Sequence, residues 1–290
     1  MRRLLIVGCG DIGLRVASAL RGRWRIYALT RSVQRTERLR SLEIVPVVAD
    51  LDCPATLDRL AGLAQDVAHL APPPRSGVRD TRTANLIRAL TRAGSLPQRL
   101  VYISTSGVYG DCGGRLVHET RRLQPMTDRA LRRVDAERQL RAWGAESRVQ
   151  VSILRVPGIY SPGRLPLARL EAGTPALSSD QDPYTNHIHA DDLARIVIAA
   201  LTRGRAGRTY NASDDSSLKM GDYFDLVADR FGLPHPPRIT LRQARESLPE
   251  QLLSFMRESR RLANRRLKKE LRVRLRYPSV DQGIGAPTRV

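Results

Sequence analysis

Six short stretches, Leu4–Val7, Arg25–Leu29, Ile44–Val48, Val67–Leu70, Leu100–Ser104 and Val151–Val156, are apolar or β-branched almost throughout and bounded by Gly, Pro or polar residues. Near-continuous apolar runs of this length suit strands buried on both faces, as in a parallel sheet. Between them, Asp11–Arg21, Ser32–Ser41, Ala55–Leu63, Arg79–Ala93 and Thr127–Trp143 carry helical periodicity, with capping residues at several starts. Strand and helix alternating this often predict an α/β fold built on a doubly wound parallel sheet. The pattern loosens after Pro157. There the sequence predicts helices at Arg164–Glu171, Ala190–Thr202, Met220–Phe231, Leu241–Glu246 and Pro249–Asn264, and strands at Thr185–Ile188 and Arg208–Asn211. This reads as a smaller C-terminal α/β lobe, residues 161–290, partly interleaved with the sheet of residues 1–160. Beyond Tyr277 the chain reads as a surface tail.

The chemistry starts where the first strand ends. Leu4–Val7 runs into Gly8-Cys9-Gly10-Asp11-Ile12-Gly13 and then into the helical Leu14–Leu20. A G-x-G-x-x-G motif between strand and helix marks a dinucleotide site; elsewhere it would be only a glycine turn. Gly8 permits the tight turn, Gly10 admits a pyrophosphate to the backbone, and Gly13 lets helix and strand pack. The helix start, with Asp11 and Ile12, then offers unpaired N–H groups to the phosphates. An NAD site usually ends its second strand on an acid that bonds the ribose 2′-OH. Here Thr30-Arg31-Ser32 offers none, and Arg31 with Arg35 one turn on could clamp a 2′-phosphate, so the cofactor is read as NADP rather than NAD. Asp50 and Leu51 follow the third strand, where a carboxylate can meet the adenine amino group or equally cap the next turn.

With His69-Leu70-Ala71-Pro72, Tyr102–Gly110, Arg155–Gly163 and His187–Ala194 added, the chain resembles the extended short-chain dehydrogenases, the NAD-dependent epimerase/dehydratase family, in an atypical form. The resemblance implies a Rossmann-like domain with a C-terminal substrate lobe and a pairing into homodimers through helices. It places Leu70, Ala71 and Pro157 along the cofactor and makes Thr105 the hydroxyl that bonds the substrate oxygen. Tyr109 is a second candidate side chain there. The family's acid–base pair is a Tyr followed four residues later by Lys, the ammonium drawing the phenol towards working pH. Aligned on Ala136-Glu137, those two positions hold Arg129 and Arg133. Arg133 could still bond the ribose, whereas an arginine at 129 has no proton to exchange near neutrality. Three accounts stay open: an enzyme with a relocated acid, Tyr109 or Tyr160; a dinucleotide-binding sensor or scaffold without turnover; and an enzyme whose substrate brings its own proton. The small-molecule substrate is expected to be anionic or nucleotide-linked.

Composition narrows the classes. With 41% apolar and 27% charged residues the chain is neither disordered nor membranous, and no run approaches the roughly 18–20 apolar residues of a spanning helix. Cys9, Cys53 and Cys112 are too scattered for a disulfide framework or a metal cluster, which fits a reducing cytoplasm and no bound metal. Lys and Arg number 49 against 29 Asp and Glu, a net charge of +20. That field favours polyanions, and nucleic-acid binding is the minority reading because only 4% of residues are aromatic and able to stack on bases. The basic stretch Arg257–Arg276 is read by default as a charged face over a leucine seam, with Arg260 and Arg261 as candidate anion contacts. Asp191 or Asp192 is expected to cap the helix after His189, with His189 as a catalytic base the lesser alternative.

Overall fold

The computed structural model describes residues 1–92 and 94–285. Its centre is a parallel sheet of seven strands: β1 (Arg2–Val7), β2 (Trp24–Thr30), β3 (Ile44–Val48), β4 (Asp66–His69), β5 (Arg99–Thr105), β6 (Gln150–Val156) and β7 (Arg208–Asn211). They lie in the order β7-β6-β5-β4-β1-β2-β3. The order reverses between β1 and β4, which opens a crevice above their carboxyl ends. The fold is therefore α/β and Rossmann-like, as the apolar runs imply.

Strand β1 shows why those runs are unbroken. Leu4 and Ile6 face one layer, with Ile12, Val16 and Leu20 of α1 (Asp11–Leu20) and Leu193, Ile196 and Val197 of a later helix, Ala190–Arg203. Leu5 and Val7 face the other. There they meet a second helix pair, Leu86 and Leu90 of Thr81–Thr91 and Leu140 and Trp143 of Asp128–Ser147. All four strand residues are completely buried. At ~1.5–3 kcal/mol for each large aliphatic side chain, this alternation fixes the register of the central strand. In chain order the helices flanking the sheet are α1, α2 (Thr36–Ser41), α3 (Thr81–Thr91), α4 (Asp128–Ser147), and, after the short α5 (Leu167–Glu171), α6 (Ala190–Arg203).

Several elements differ from the expectation. Ser32–Ser41 is a 3₁₀ turn, Val33–Arg35, followed by α2, and Ala55–Leu63 is a 3₁₀ segment, Pro54–Leu60. In the latter the buried anchors Leu57 and Leu60 stand three apart, the spacing that a 3₁₀ turn brings to one side. Ala93, the expected end of α3, lies outside the described residues. The expected strand Thr185–Ile188 divides in two: Tyr184–Thr185 pairs antiparallel with Leu218–Lys219, and His187–His189 runs parallel to Gly158–Tyr160.

The C-terminal elements are α7 (Met220–Phe231), α8 (Leu241–Ser247), α9 (Glu250–Met256), α10 (Arg265–Glu270) and α11 (Val280–Gly283). Pro249–Asn264 does not run as one helix. Ser259 breaks it, its hydroxyl accepting from the Tyr184 N–H at 3.0 Å and its N–H donating to Asp111 at 2.9 Å, and Arg261–Leu262 then pairs with Leu116–Val117. Nor does the chain beyond Tyr277 fray: Val280 and Ile284 are fully buried, and the Val280 N–H donates to Ser216 at 2.9 Å. Residues 286–290 of the expected tail lie outside the described ones. Among the described residues no helix is long and apolar enough to cross a membrane.

Candidate functional site

The glycine loop has the shape its spacing demands. Gly8 sits at φ +94°, and a Cβ there would come within 2.5 Å of the Ala71 nitrogen, so side chain and backbone both exclude other residues. Gly13 packs against the Gly8 carbonyl and Ile6, a Cβ standing 3.1 Å from each. Gly10 is different: a Cβ there meets no described atom within 4 Å. It occupies the N-cap of α1, and no side chain caps the helix. The first N–H groups of α1 are thus left uncapped at the positive end of the helix dipole. This is a cradle for an anion that needs close backbone approach. The residues present fit a dinucleotide pyrophosphate.

Beside the loop lies a cleft of about 690 Å³ lined by Gly8, Cys9, Gly10, Arg31, Ser32, Arg35, Asp50, Leu51, Leu70 and Ala71. The structure thus gathers eight of the candidate cofactor residues around one opening. Arg35 reaches across to donate to the Cys9 carbonyl at 2.8 Å, which sets its guanidinium above the glycine turn. Burial holds the Cys9 thiol up at about 11, so it stays neutral beneath that cation. Asp50 lines the cleft, and its carboxylate accepts from the Asp52 N–H at 3.0 Å, the turn-capping role. Arg82 also lines the cleft and pairs bidentately with Asp52 at 2.6 and 2.8 Å. No sequence signal marks Arg82, because its partner lies thirty residues away. Asp11 and Ile12 do not line this cleft: Asp11 pairs with Arg15 at 2.8 Å and Arg164 at 3.3 Å, and Ile12 is buried in the core.

A second pocket, about 240 Å³, opens at the ends of β5 and β6 and contains Thr105 and Pro157. Thr105 Oγ1 accepts from the Gly107 N–H at 3.2 Å, which anchors the hydroxyl at the pocket wall. Arg129, Tyr184, Asn186, Phe255, Glu258 and Arg260 also line it. Arg133 does not enter it. Its guanidinium donates to the Ile103 carbonyl at 2.7 Å and the Tyr102 hydroxyl at 3.0 Å, bracing β5 beneath Thr105.

Tyr109 and Tyr160 are not placed for proton transfer in either opening. The buried Tyr109 hydroxyl donates to Asn211 at 2.7 Å and accepts from Arg155 at 2.9 Å, inside a network that continues to Glu137 and Ser104. Burial pushes the phenol up to about 12. Tyr160 donates to the Ser279 carbonyl at 3.1 Å and is covered by Gly283 of α11. These placements overturn the sequence expectation for both tyrosines, since the chain closes over them with polar partners that only the tertiary fold supplies. The tyrosine that shares the pocket with Thr105 is Tyr184, which the sequence reading did not single out. It lies outside the family's motifs, on a two-residue strand that local pattern cannot reveal.

The capping expectation for Asp191 and Asp192 also changes. The cap on α6 is His189, whose Nδ1 accepts from the Asp191 N–H at 3.2 Å, and burial keeps that imidazole below its ordinary pKa. Fully buried Asp192 instead accepts from the N–H groups of Arg276 and Tyr277 at 2.9 and 2.8 Å, tying down the C-terminal segment. Much of the basic stretch is likewise committed internally: Arg266 to the Thr209 carbonyl at 3.0 Å, Arg261 to the Gly114 carbonyl at 2.8 Å, and Lys268 to Asp215. Leu267 and Leu271 beneath are fully buried.

Comparisons with known proteins agree with this architecture. Protein YeeZ of Escherichia coli K12 is 27% identical over 245 residues, covering 81% of this chain and 86% of that one. A functionally unknown conserved protein from Silicibacter pomeroyi superposes with a TM-score of 0.82 at 29% identity, covering 98% and 97% of the two chains. UDP-glucuronic acid 4-epimerase from Bacillus cereus, solved with NAD, gives a TM-score of 0.76 at 18% identity and 97% and 96% coverage, a likeness of fold. The sequence profile of the NAD dependent epimerase/dehydratase family matches residues 4–213. Seven parallel strands, an open glycine turn at the start of α1 and a profile spanning most of the chain lead to one conclusion: the chain belongs to the NAD dependent epimerase/dehydratase family.

Proposed function

We propose that the protein binds NADP(H) and acts as an epimerase-type oxidoreductase on a small molecule held against Thr105. The observation that carries this reading is the cleft beside Gly10, with Arg31, Ser32 and Arg35 on its wall and no carboxylate ending β2. Gly8, Gly10 and the α1 N–H groups would hold the pyrophosphate, Leu51, Leu70 and Ala71 the apolar faces, and Arg31 with Arg35 a 2′-phosphate. When bound, the nicotinamide supplies the hydride chemistry. The protein's own part is to place the substrate. Thr105 Oγ1 donates a hydrogen bond to the substrate oxygen, and Pro157 bounds the pocket on the β6 side. Tyr184, whose hydroxyl has no hydrogen-bond partner among the described residues, gives or takes the proton at that oxygen.

A second reading, a dinucleotide-binding sensor without turnover, rests on Arg129. By the alignment on Ala136-Glu137 it takes the position of the family's phenol, and it holds its proton at any physiological pH. One set of titrations tests the proposal: nicotinamide fluorescence with NADPH and NADH on the wild type and Arg31→Ala. The expected result is saturable binding, tighter for NADPH, with Arg31→Ala losing about tenfold for NADPH and little for NADH. Equal affinity for the two cofactors would overturn the NADP assignment. Turnover in the wild type that Tyr184→Phe abolishes would favour the enzyme over the sensor.

A further inference from the structure

The pocket beside Thr105 has a charge pattern that a proton relay does not explain. Arg129 comes from the first turn of α4, and its guanidinium lies 4.6 Å over the Phe255 ring of α9 with no hydrogen-bond partner among the described residues. Opposite stands Arg260, its side chain only 12% exposed, donating to Glu258 at 2.7 Å and to the Gly110 carbonyl at 2.8 Å. Its Nε is buried without a partner. Two guanidinium groups and one carboxylate leave the pocket with a net positive charge. Desolvation holds Arg129 below the ordinary arginine range; Glu258 opposes this, while Arg132, Arg133 and Arg260 add to it. A bound anion would offset the like-charge repulsion and favour the charged guanidinium.

The remaining lining sets the size and shape of that anion. Phe255, Met220 and Pro157 form an apolar wall and Thr105 offers a hydroxyl, while the Asn186 amide is spent on the Arg260 carbonyl at 2.8 Å and the Leu262 N–H at 2.7 Å. The volume of about 240 Å³ falls below the ~300–1,000 Å³ of pockets that take drug-sized ligands. A sugar nucleotide is larger than such ligands usually are. We propose that this pocket is a carboxylate site: Arg129, with Arg260 in the same lining, receives the carboxylate of a small organic acid, whose neighbouring oxygen then reaches Thr105. This inference rests on the function proposed above and names its substrate class, a short 2-oxo or 2-hydroxy acid. A planar guanidinium recognises a carboxylate through paired parallel hydrogen bonds, which explains an arginine where a phenol would give no charge.

Calorimetry with pyruvate and its neutral isostere pyruvamide tests this, run on the protein alone and on the protein with NADP⁺, which cannot pass a hydride to a ketone. UDP-glucose serves as the sugar-nucleotide probe. Pyruvate should bind at least tenfold tighter than pyruvamide and more tightly than UDP-glucose. Arg129→Leu should weaken pyruvate binding roughly 10- to 100-fold, and Arg129→Lys should restore part of it. Unchanged melting temperature and NADPH affinity in Arg129→Leu would separate lost recognition from lost folding. Equal binding of pyruvate and pyruvamide, no pyruvate binding in either state, or pyruvate binding indifferent to Arg129→Leu would overturn the inference. The function proposed above fails on a different readout, the NADPH titration, since pyruvate is also measured without dinucleotide.

Discussion

Replacing Gly10 by alanine separates the cofactor role of the glycine loop from its role in folding. Gly10 has φ −86° and ψ −152°, an extended conformation open to any residue, and an added Cβ meets no described atom within 4 Å. Folding should therefore not suffer. A glycine-to-alanine change at a compatible position stabilises by about 0.4–1 kcal/mol through the unfolded chain. The same methyl group, however, stands in the space through which a pyrophosphate reaches the first N–H groups of α1. Losing one charge-assisted hydrogen bond costs ~1.5–3 kcal/mol, or roughly 10- to 150-fold in affinity. Gly8→Ala is the contrasting control. At φ +94° a side chain is strained by about 1–2 kcal/mol, and its Cβ would lie 2.5 Å from the Ala71 nitrogen, so the strand-to-helix turn itself must shift. Urea unfolding and nicotinamide fluorescence would be measured on both variants. Gly10→Ala should match or exceed wild-type stability and lose NADPH binding, while Gly8→Ala should lose several kcal/mol of stability. Undiminished NADPH affinity in Gly10→Ala would refute the reasoning.

Further outcomes follow from the buried polar network. Tyr109→Phe removes two hydrogen bonds from a closed site and should cost about 1–3 kcal/mol in urea unfolding, with NADPH affinity unchanged; a lost cofactor affinity would return Tyr109 to the site. Glu137→Leu strands the Arg155 guanidinium, whose ion pair with Glu137 leaves only 4% and 2% of the two side chains exposed, and should cost about 3–5 kcal/mol, largely recovered by adding Arg155→Met. Asp214 is raised to about 7, first by burial. Its folded form keeps a proton that the unfolded chain gives up near pH ~4, so stability is fullest below pH ~4 and falls as pH rises through about 7. Asp214→Asn should flatten that fall in urea midpoints taken from pH 4 to 8; an unaltered slope would assign it to other groups.

The central sheet was legible because β1, β2, β5 and β6 are buried on both faces and so leave unbroken apolar runs in the sequence. The glycine loop was legible because its backbone geometry admits no substitute at Gly8. Arg31 and Asp50 were read from their positions at strand ends and Ala71 from the family resemblance, and all three line the cleft. The second pocket was less accessible. Thr105 and Pro157 were read from the family resemblance, but Tyr184, Phe255 and Glu258 come from a two-residue strand, a seven-residue helix and the irregular segment after it, whose positions depend on tertiary contacts. Tyr109 misled because a hydroxyl in a family motif looks the same whether it faces a cleft or, as here, is sealed against Asn211 and Arg155. Arg129 was read at the family's phenol position from the resemblance alone, and its consequence for ligand charge emerges only beside Arg260 and Phe255.

The most direct measurement is a crystal structure of the protein soaked with NADP⁺. The account predicts a pyrophosphate within hydrogen-bond distance of the N–H groups that open α1, a 2′-phosphate between Arg31 and Arg35, and a nicotinamide directed towards Thr105. A dinucleotide bound elsewhere, or a glycine turn left empty at saturating cofactor with Arg35 still on the Cys9 carbonyl, would contradict it.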